Sequence, residues 1–458
     1  MNHKNRNRIL ILLFIGVFMG SLDIGIVGPA LPAIQAFFGI DERLVSWIFA
    51  IYILFFMIGT PLMAKLSDMY GRRSIYVFDV FIFAVGSAIT VSAISFEMLL
   101  IGRAIQGFGA GGIFPVASAF IGDTFPPERR GGALGIIGSV WGLSGILGPI
   151  LGGLLLGYGW EWLFIINLPI AAIVITASFY ILPKTKKIKD VTFDWYGTVI
   201  LALLVGSLAI GVNQINTSNF IDSIFSLYVW PFLALSVFLV PFLYKIEKNA
   251  LEPVVQIDLY KSLEVKIATS IAIGTGLCQT AIVFMPALAV VALSLTTSYA
   301  SLMVIPLVLA LGISAPVIGR LLDKFGTKKV MFVGTITLVV GLFMLSLLAT
   351  SFYLFIISGI IIGLGLGTVL GSPLRYIMLS ESPPQKRAAG QALINFNSSA
   401  GQLVGGALIG AIIASQGGLV IGYESAYIFI GLIAIAMVLL SIGLKSRAEQ
   451  LKTMERNY

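Results

Sequence analysis

Fourteen uninterrupted apolar stretches constrain this chain more than any other feature. They run over roughly 9–33, 44–66, 74–94, 97–121, 132–157, 163–182, 195–213, 225–244, 263–292, 301–322, 330–350, 352–379, 388–415 and 424–444. Each is long enough to cross about 30 Å of hydrocarbon at about 1.5 Å per helical residue. Inside lipid every backbone polar group must be satisfied internally, which leaves helices or closed barrels. A barrel would alternate apolar and polar residues along each strand, and these stretches do not. The expected fold class is an all-α polytopic membrane protein with 14 transmembrane helices. Charge content agrees. Only 11% of the 458 residues are charged and 58% are hydrophobic, against about 25% charged in ordinary soluble domains.

The few charges are unevenly placed. Of the 29 basic residues, all but Arg43, Lys65, Arg103, Lys266, Arg320 and Arg375 fall in the tails or in alternate loops. With the N-terminus inside, those loops are all cytoplasmic, so positive charge sets a multi-pass topology with both termini in the cytoplasm. Asp41, Glu42 and Asp222 mark the opposite side. The net charge of +8 is thus a topology signal with affinity for anionic membrane lipids, not a nucleic-acid patch. Lys4, Arg6 and Arg8 resemble the head of a secretion signal. The run after them is too long, contains Asp23 and lacks a cleavage site, so it reads as a retained span. One cysteine, Cys278, and one histidine, His3, exclude a disulfide framework or a Cys/His metal cluster.

The chain also repeats itself at an offset of roughly 256 residues. Ala64–Arg73, ending Asp68-Met69-Tyr70-Gly71-Arg72-Arg73, recurs as Gly319–Lys328 with Asp323 and Gly326. Pro126-Pro127-Glu128-Arg129-Arg130 recurs as Pro383-Pro384-Gln385-Lys386-Arg387, and Gly107, Gly109 and Gly111 fall on Gly363, Gly365 and Gly367. Three regions follow: a six-helix bundle over 1–183, a linker with two inserted helices over 184–262, and a second six-helix bundle with a short tail over 263–458. Two parallel six-helix repeats form a transporter design whose substrate site lies at their interface.

With its motifs assembled, the chain resembles the major facilitator superfamily, in its fourteen-span drug–proton antiporter branch. The resemblance rests on Leu22-Asp23 with Ala30-Leu31-Pro32, on Leu66–Arg73, on Arg103 with Gln106-Gly107 and Gly109-Ala110, on Gly148-Pro149-Ile150-Leu151-Gly152-Gly153, and on Trp160, Trp162, Phe164, Asn167 and Pro169. It departs at Ser144, where the exporter motif usually has glycine, and at Glu161, where the branch often has arginine. The resemblance implies a major facilitator fold, a conformational latch at Asp68, Gly71, Arg72 and Arg73 with its repeat Asp323, and an exporter motif at Gly148, Pro149, Gly152 and Gly153. Asp123, at the inner end of span 4, is the expected partner of Arg72.

Ionisable groups within a bilayer are expensive and mark function. Helix rise places Asp23 about 21 Å, Arg103 about 27 Å and Gln106 about 22 Å from the cytoplasmic end, compatible with one buried cluster. Burial disfavours an ionised carboxyl and a neighbouring guanidinium favours it, so Asp23 with Arg103 is the proton-coupling candidate; a static tie between spans 1 and 4 is the alternative. Asp79 lies too near the cytoplasmic side to join it and is read as pairing with Arg72. Lys266 and Arg375 are read as snorkelling. Tyr52, Gln106, Trp141, Gln279, Asn395 and Asn397 are the candidate lining of the substrate cavity. Pro149 is expected to kink span 5.

The expected function is proton-coupled antiport that exports lipophilic, neutral or monocationic small molecules across the cytoplasmic membrane by alternating access. A monomer is expected, with no cofactor, because no phosphate-binding G-x-x-x-x-G-K-[ST] loop is present. The same fold moving a lipid or an anionic metabolite is the alternative. A lipid-modifying membrane enzyme would need a convergent catalytic set that one histidine does not supply, so the chain is read as no enzyme.

Overall fold

The structure is a computed structural model that describes residues 3–40, 42–184, 194–216, 219–250, 253–295 and 297–456. Asp41 and the linker residues Lys186, Lys187 and Lys189 lie outside the described residues. For His3, Lys4, Pro29, Pro32, Glu42, Arg43, Pro149, Gly153, Gln385 and Arg456 only the backbone is described.

The chain is helical throughout, with no strand among the described residues. The spans of the first repeat are span 1 His3–Phe38, span 2 Glu42–Tyr70, span 3 Arg72–Val91, span 4 Phe96–Thr124, span 5 Pro127–Gly138 with Val140–Leu156, and span 6 Trp162–Ile165 with Asn167–Ile181. Spans 7 and 8 are Trp195–Asn213 and Trp230–Asn249. The remainder are span 9 Leu263–Leu293, span 10 Ile305–Phe325, span 11 Thr327–Leu348, span 12 Phe352–Leu370 with Pro373–Glu381, span 13 Arg387–Ser415 and span 14 Val420–Ile442. A last helix, Arg447–Arg456, follows. Thirteen crossings are long and apolar enough to span a bilayer; span 5, the other, bends by 45° between Pro127–Gly145 and Ile150–Leu156. Pro149 lies within that break, and its side-chain contacts are outside the described residues.

Local chemistry sets the ends. Ser95 accepts a hydrogen bond from the Met98 amide (3.3 Å) and Asp194 one from the Gly197 amide (2.8 Å), each satisfying a free donor in a helix's first turn. Gly71 and Gly326 turn the chain into spans 3 and 11 at φ of 95° and 80°, a conformation that side chains resist. Span 4 is buried on most of its faces, which its small residues permit by letting neighbouring backbones close in.

The buried apolar side chains form two large clusters. One is built mainly from residues 9–182 and the other wholly from residues 259–444. Between them, Ala64, Ala119, Ala388 and Ala392 meet where spans 2, 4 and 13 converge, and Gly142 of span 5 abuts Gly312 of span 10 so closely that a side chain at Gly142 would overlap it. Span 7 packs Leu201, Val205 and Ala209 beside Leu54 and Met57 of span 2 and Phe396, Ala400 and Leu403 of span 13. Arg6, Arg129, Arg320 and Asp323 line one hollow, and Arg447 donates to the Lys324 carbonyl. The segments next to both termini therefore share one end of the molecule, called here the charged face.

Candidate functional site: a gate, a buried ion pair and a cavity

The two repeats grip each other at the charged face through the same contact made twice. Asp68 accepts from the amides of Ala388 (3.3 Å) and Ala389 (3.1 Å) at the start of span 13. Asp323 accepts from the amides of Gly131 (3.0 Å) and Gly132 (2.9 Å) at the start of span 5. Each carboxylate satisfies free amides of a helix first turn and meets the positive end of its dipole. Arg72 donates to Asp68 Oδ1 (2.6 Å) and to the Pro384 carbonyl (2.8 Å), and it also pairs with Asp123. Arg387 reaches Asp123 from the other repeat (2.6 Å) and donates to the Gly122 carbonyl (3.0 Å). The sequence reading had no role for Arg387, although the repeated Pro-Pro loop that carries it was visible. Arg73 does not join this set. It donates to the Phe179 carbonyl (2.7 Å) and stacks on the Phe179 ring, tying span 3 to span 6. Asp79 is not paired with Arg72: neither of its oxygens has a hydrogen-bond partner, and its carboxyl lies against Gly112 of span 4. Arg72 is drawn instead to the two acids at the span ends.

Deeper in the first repeat, spans 1, 4 and 6 bring together the predicted pair. Arg103 Nη1 donates to Asp23 Oδ2 at 2.5 Å, and both side chains are essentially fully buried. Asp23 Oδ1 accepts from Asn167 (3.1 Å) and Gln106 (3.3 Å). Gln106 also accepts from Arg103 (2.9 Å) and donates to Ser87 (2.7 Å). The Arg103 guanidinium lies over the ring of Tyr52, 4.3 Å from its centre. Gln106 thus belongs to the ion-pair network and does not line the cavity described below, contrary to the expectation. Asn167 entered the sequence reading only as part of the span 6 resemblance; a buried amide on a third helix gives no sign in sequence of which acid it meets.

A cavity of about 240 Å³ lies between the repeats. Tyr52, Trp141, Gln279 and Asn395, all predicted, line it together with Phe56, Ser398, Gln402 and Arg375. Asn397 does not; it donates to the Tyr260 hydroxyl (3.4 Å) and the Leu393 carbonyl (2.7 Å). Arg375 does not snorkel to the surface. It is 5% exposed and faces this cavity, because span 12 breaks at Gly371–Ser372 before Pro373–Glu381. Gly148 packs its backbone against Gly25 of span 1, and Gly152 is buried beyond it. Among the described residues no three His, Cys, Asp or Glu side chains converge to hold a metal ion.

Two repeats gripped at one end, with a hollow between them, match the architecture of a membrane transporter. The family model for the Major Facilitator Superfamily matches residues 13–249 and 267–456, and the chain belongs to that family. It is 28% identical to multidrug resistance protein 3 of Bacillus subtilis, covering 87% of this chain and 78% of that protein. It is also 28% identical to the riboflavin transporter RibZ of Clostridioides difficile, covering 85% and 84% respectively. Its fold matches that of the human organic anion transporter MFSD10 with a TM-score of 0.71, 15% identity, and coverage of 96% of this chain and 100% of that one.

Proposed function

We propose that this transporter exports amphiphilic, ring-bearing small molecules in exchange for protons, with its charged face toward the cytoplasm. The observation that carries the reading is the Asp23–Arg103 pair. It is wholly buried, every Asp23 oxygen is bonded, and the Arg103 guanidinium lies over the ring of Tyr52, which lines the cavity. Protonating Asp23 removes the charge that holds Arg103, so a proton and a rearrangement beside the cavity are coupled. The gate supports the same cycle. Its contacts close the cytoplasmic side and must break before cargo enters from within. Relatives named for multidrug resistance and for riboflavin are consistent with ring-bearing organic cargo. The expected absence of a cofactor, a monomeric state and contact with membrane lipid belong to this reading.

The test is purified protein in liposomes with an imposed pH gradient, offered lipophilic dyes, flavins and antibiotics. Accumulation that follows the direction and size of the gradient is expected. Transport that ignores the gradient overturns proton coupling.

A further inference from the structure

The cavity between the repeats holds one charged residue among its described lining, Arg375. Its guanidinium centre sits 3.7 Å from the centre of the Phe114 ring. Nη2 donates to Asn395 Oδ1 at 2.9 Å, while Nε and Nη1 have no hydrogen-bond partner. No ion pair forms to it among the described residues; Asp23, Asp68 and Asp123 are engaged by Arg103, Arg72 and Arg387. A cation taken out of water without a counterion is costly, and such a group in a membrane interior marks a site. The rest of the wall supplies Tyr52, Phe56 and Trp141 as flat apolar surface and Gln279, Asn395 and Gln402 as amides.

We infer that Arg375 receives an anionic group of the cargo, and that the favoured substrates are flat aromatic monoanions such as aryl carboxylates. The aromatic body lies against Trp141 and Tyr52, and the carboxylate takes the unused guanidinium donors in a charge-assisted pair. The Asp23–Arg103 pair is neutral as a unit, so the cavity carries a net positive charge. This reverses the preference for neutral or cationic cargo that follows from counting Asp23 and Arg103 alone. The inference deepens the export reading and rests on the same cavity. At about 240 Å³ the cavity lies below the usual range of about 300–1,000 Å³ for drug-sized ligands, so small probes suit it.

The test uses the full-length protein in nanodiscs without any gradient and three probes of one shape: naphthoate, naphthamide and naphthylmethylamine. Wild type is expected to bind naphthoate at least about tenfold more tightly than the amine. Arg375→Gln should weaken naphthoate by about 10- to 100-fold and leave naphthamide within about threefold. Asn395→Asp keeps the arginine but gives it an internal counterion, and should lose the anion preference in the same way. That second variant separates the subsite from a mere packing role of Arg375 and stands in if Arg375→Gln does not fold. An unchanged naphthoate-to-naphthamide ratio in both variants overturns the inference, as does wild type that prefers the amine or binds no naphthoate at millimolar probe. Failure of the export reading shows separately. If liposome transport ignores the pH gradient while the binding ratio falls in the variants, proton coupling fails and the subsite stands.

Discussion

Asp23 and Asp79 are both fully buried acids of the first repeat, and their surroundings are opposite. Asp23 accepts from Arg103, Gln106 and Asn167, whereas both oxygens of Asp79 have no partner. An unpaired buried charge costs several kcal/mol, so nothing around Asp79 is built to rely on a negative charge there. Asp79→Asn is therefore expected to leave both the melting temperature and transport unchanged or slightly raised; a clear fall in either contradicts this. The same contrast shows how far sequence carries at this scale. Asp23, Arg103 and Gln106 stand out as polar groups in apolar runs, and helix rise alone places them at similar depth. Arg375 was misplaced because depth along a helix says nothing of the direction a side chain faces after a break such as Gly371–Ser372. Asn395 and Asn397 illustrate the remaining limit. Two residues apart they point about 200° apart around a helix, so only one of them reaches the cavity.

Between elements, the gate and the small-residue crossings carry the account. The repeated sequence motif identified Asp68 and Asp323 as equivalent, and the structure gives them equivalent tasks at the N-termini of spans 13 and 5. What the motif could not supply was the partner helix of each, since that depends on how the repeats dock. Asp68→Asn weakens two charge-assisted bonds to amides and the pair with Arg72, and is expected to shift the protein toward opening at the charged face. Spin labels at Tyr70 and Lys386, which flank the Arg72–Pro384 contact, should report a longer distance in that variant than in wild type. Cys278, the chain's one cysteine, is buried and does not compete for label. An unchanged distance distribution would remove Asp68 from the gate. At the crossing of spans 1 and 5, a Cβ on Gly148 would lie 2.8 Å from the Gly25 Cα. Gly148→Leu should cost about 1–3 kcal/mol, the usual penalty of overpacking, read as a lower melting temperature. A variant as stable as wild type contradicts the close crossing.

The whole molecule is two helical repeats, each with an apolar core built mainly from its own residues, joined through small residues, a few apolar contacts and a polar gate at one end. Each core is built mainly within one repeat, and the two meet at the gate through Ala64, Ala119, Ala388 and Ala392 and through Leu322, Tyr376 and Leu379 packed on the first repeat. Rocking about such an interface is the alternating-access motion of this architecture. The central claim is that Asp23 links the proton to that motion. The most direct measurement compares wild type with Asp23→Asn in liposomes, for one transported substrate, in two modes: accumulation against a pH gradient and exchange without one. The amide keeps its place beside Gln106 and Asn167 but cannot cycle a proton. The account predicts that the variant retains exchange and loses gradient-driven accumulation. Accumulation by Asp23→Asn at the wild-type level would contradict it.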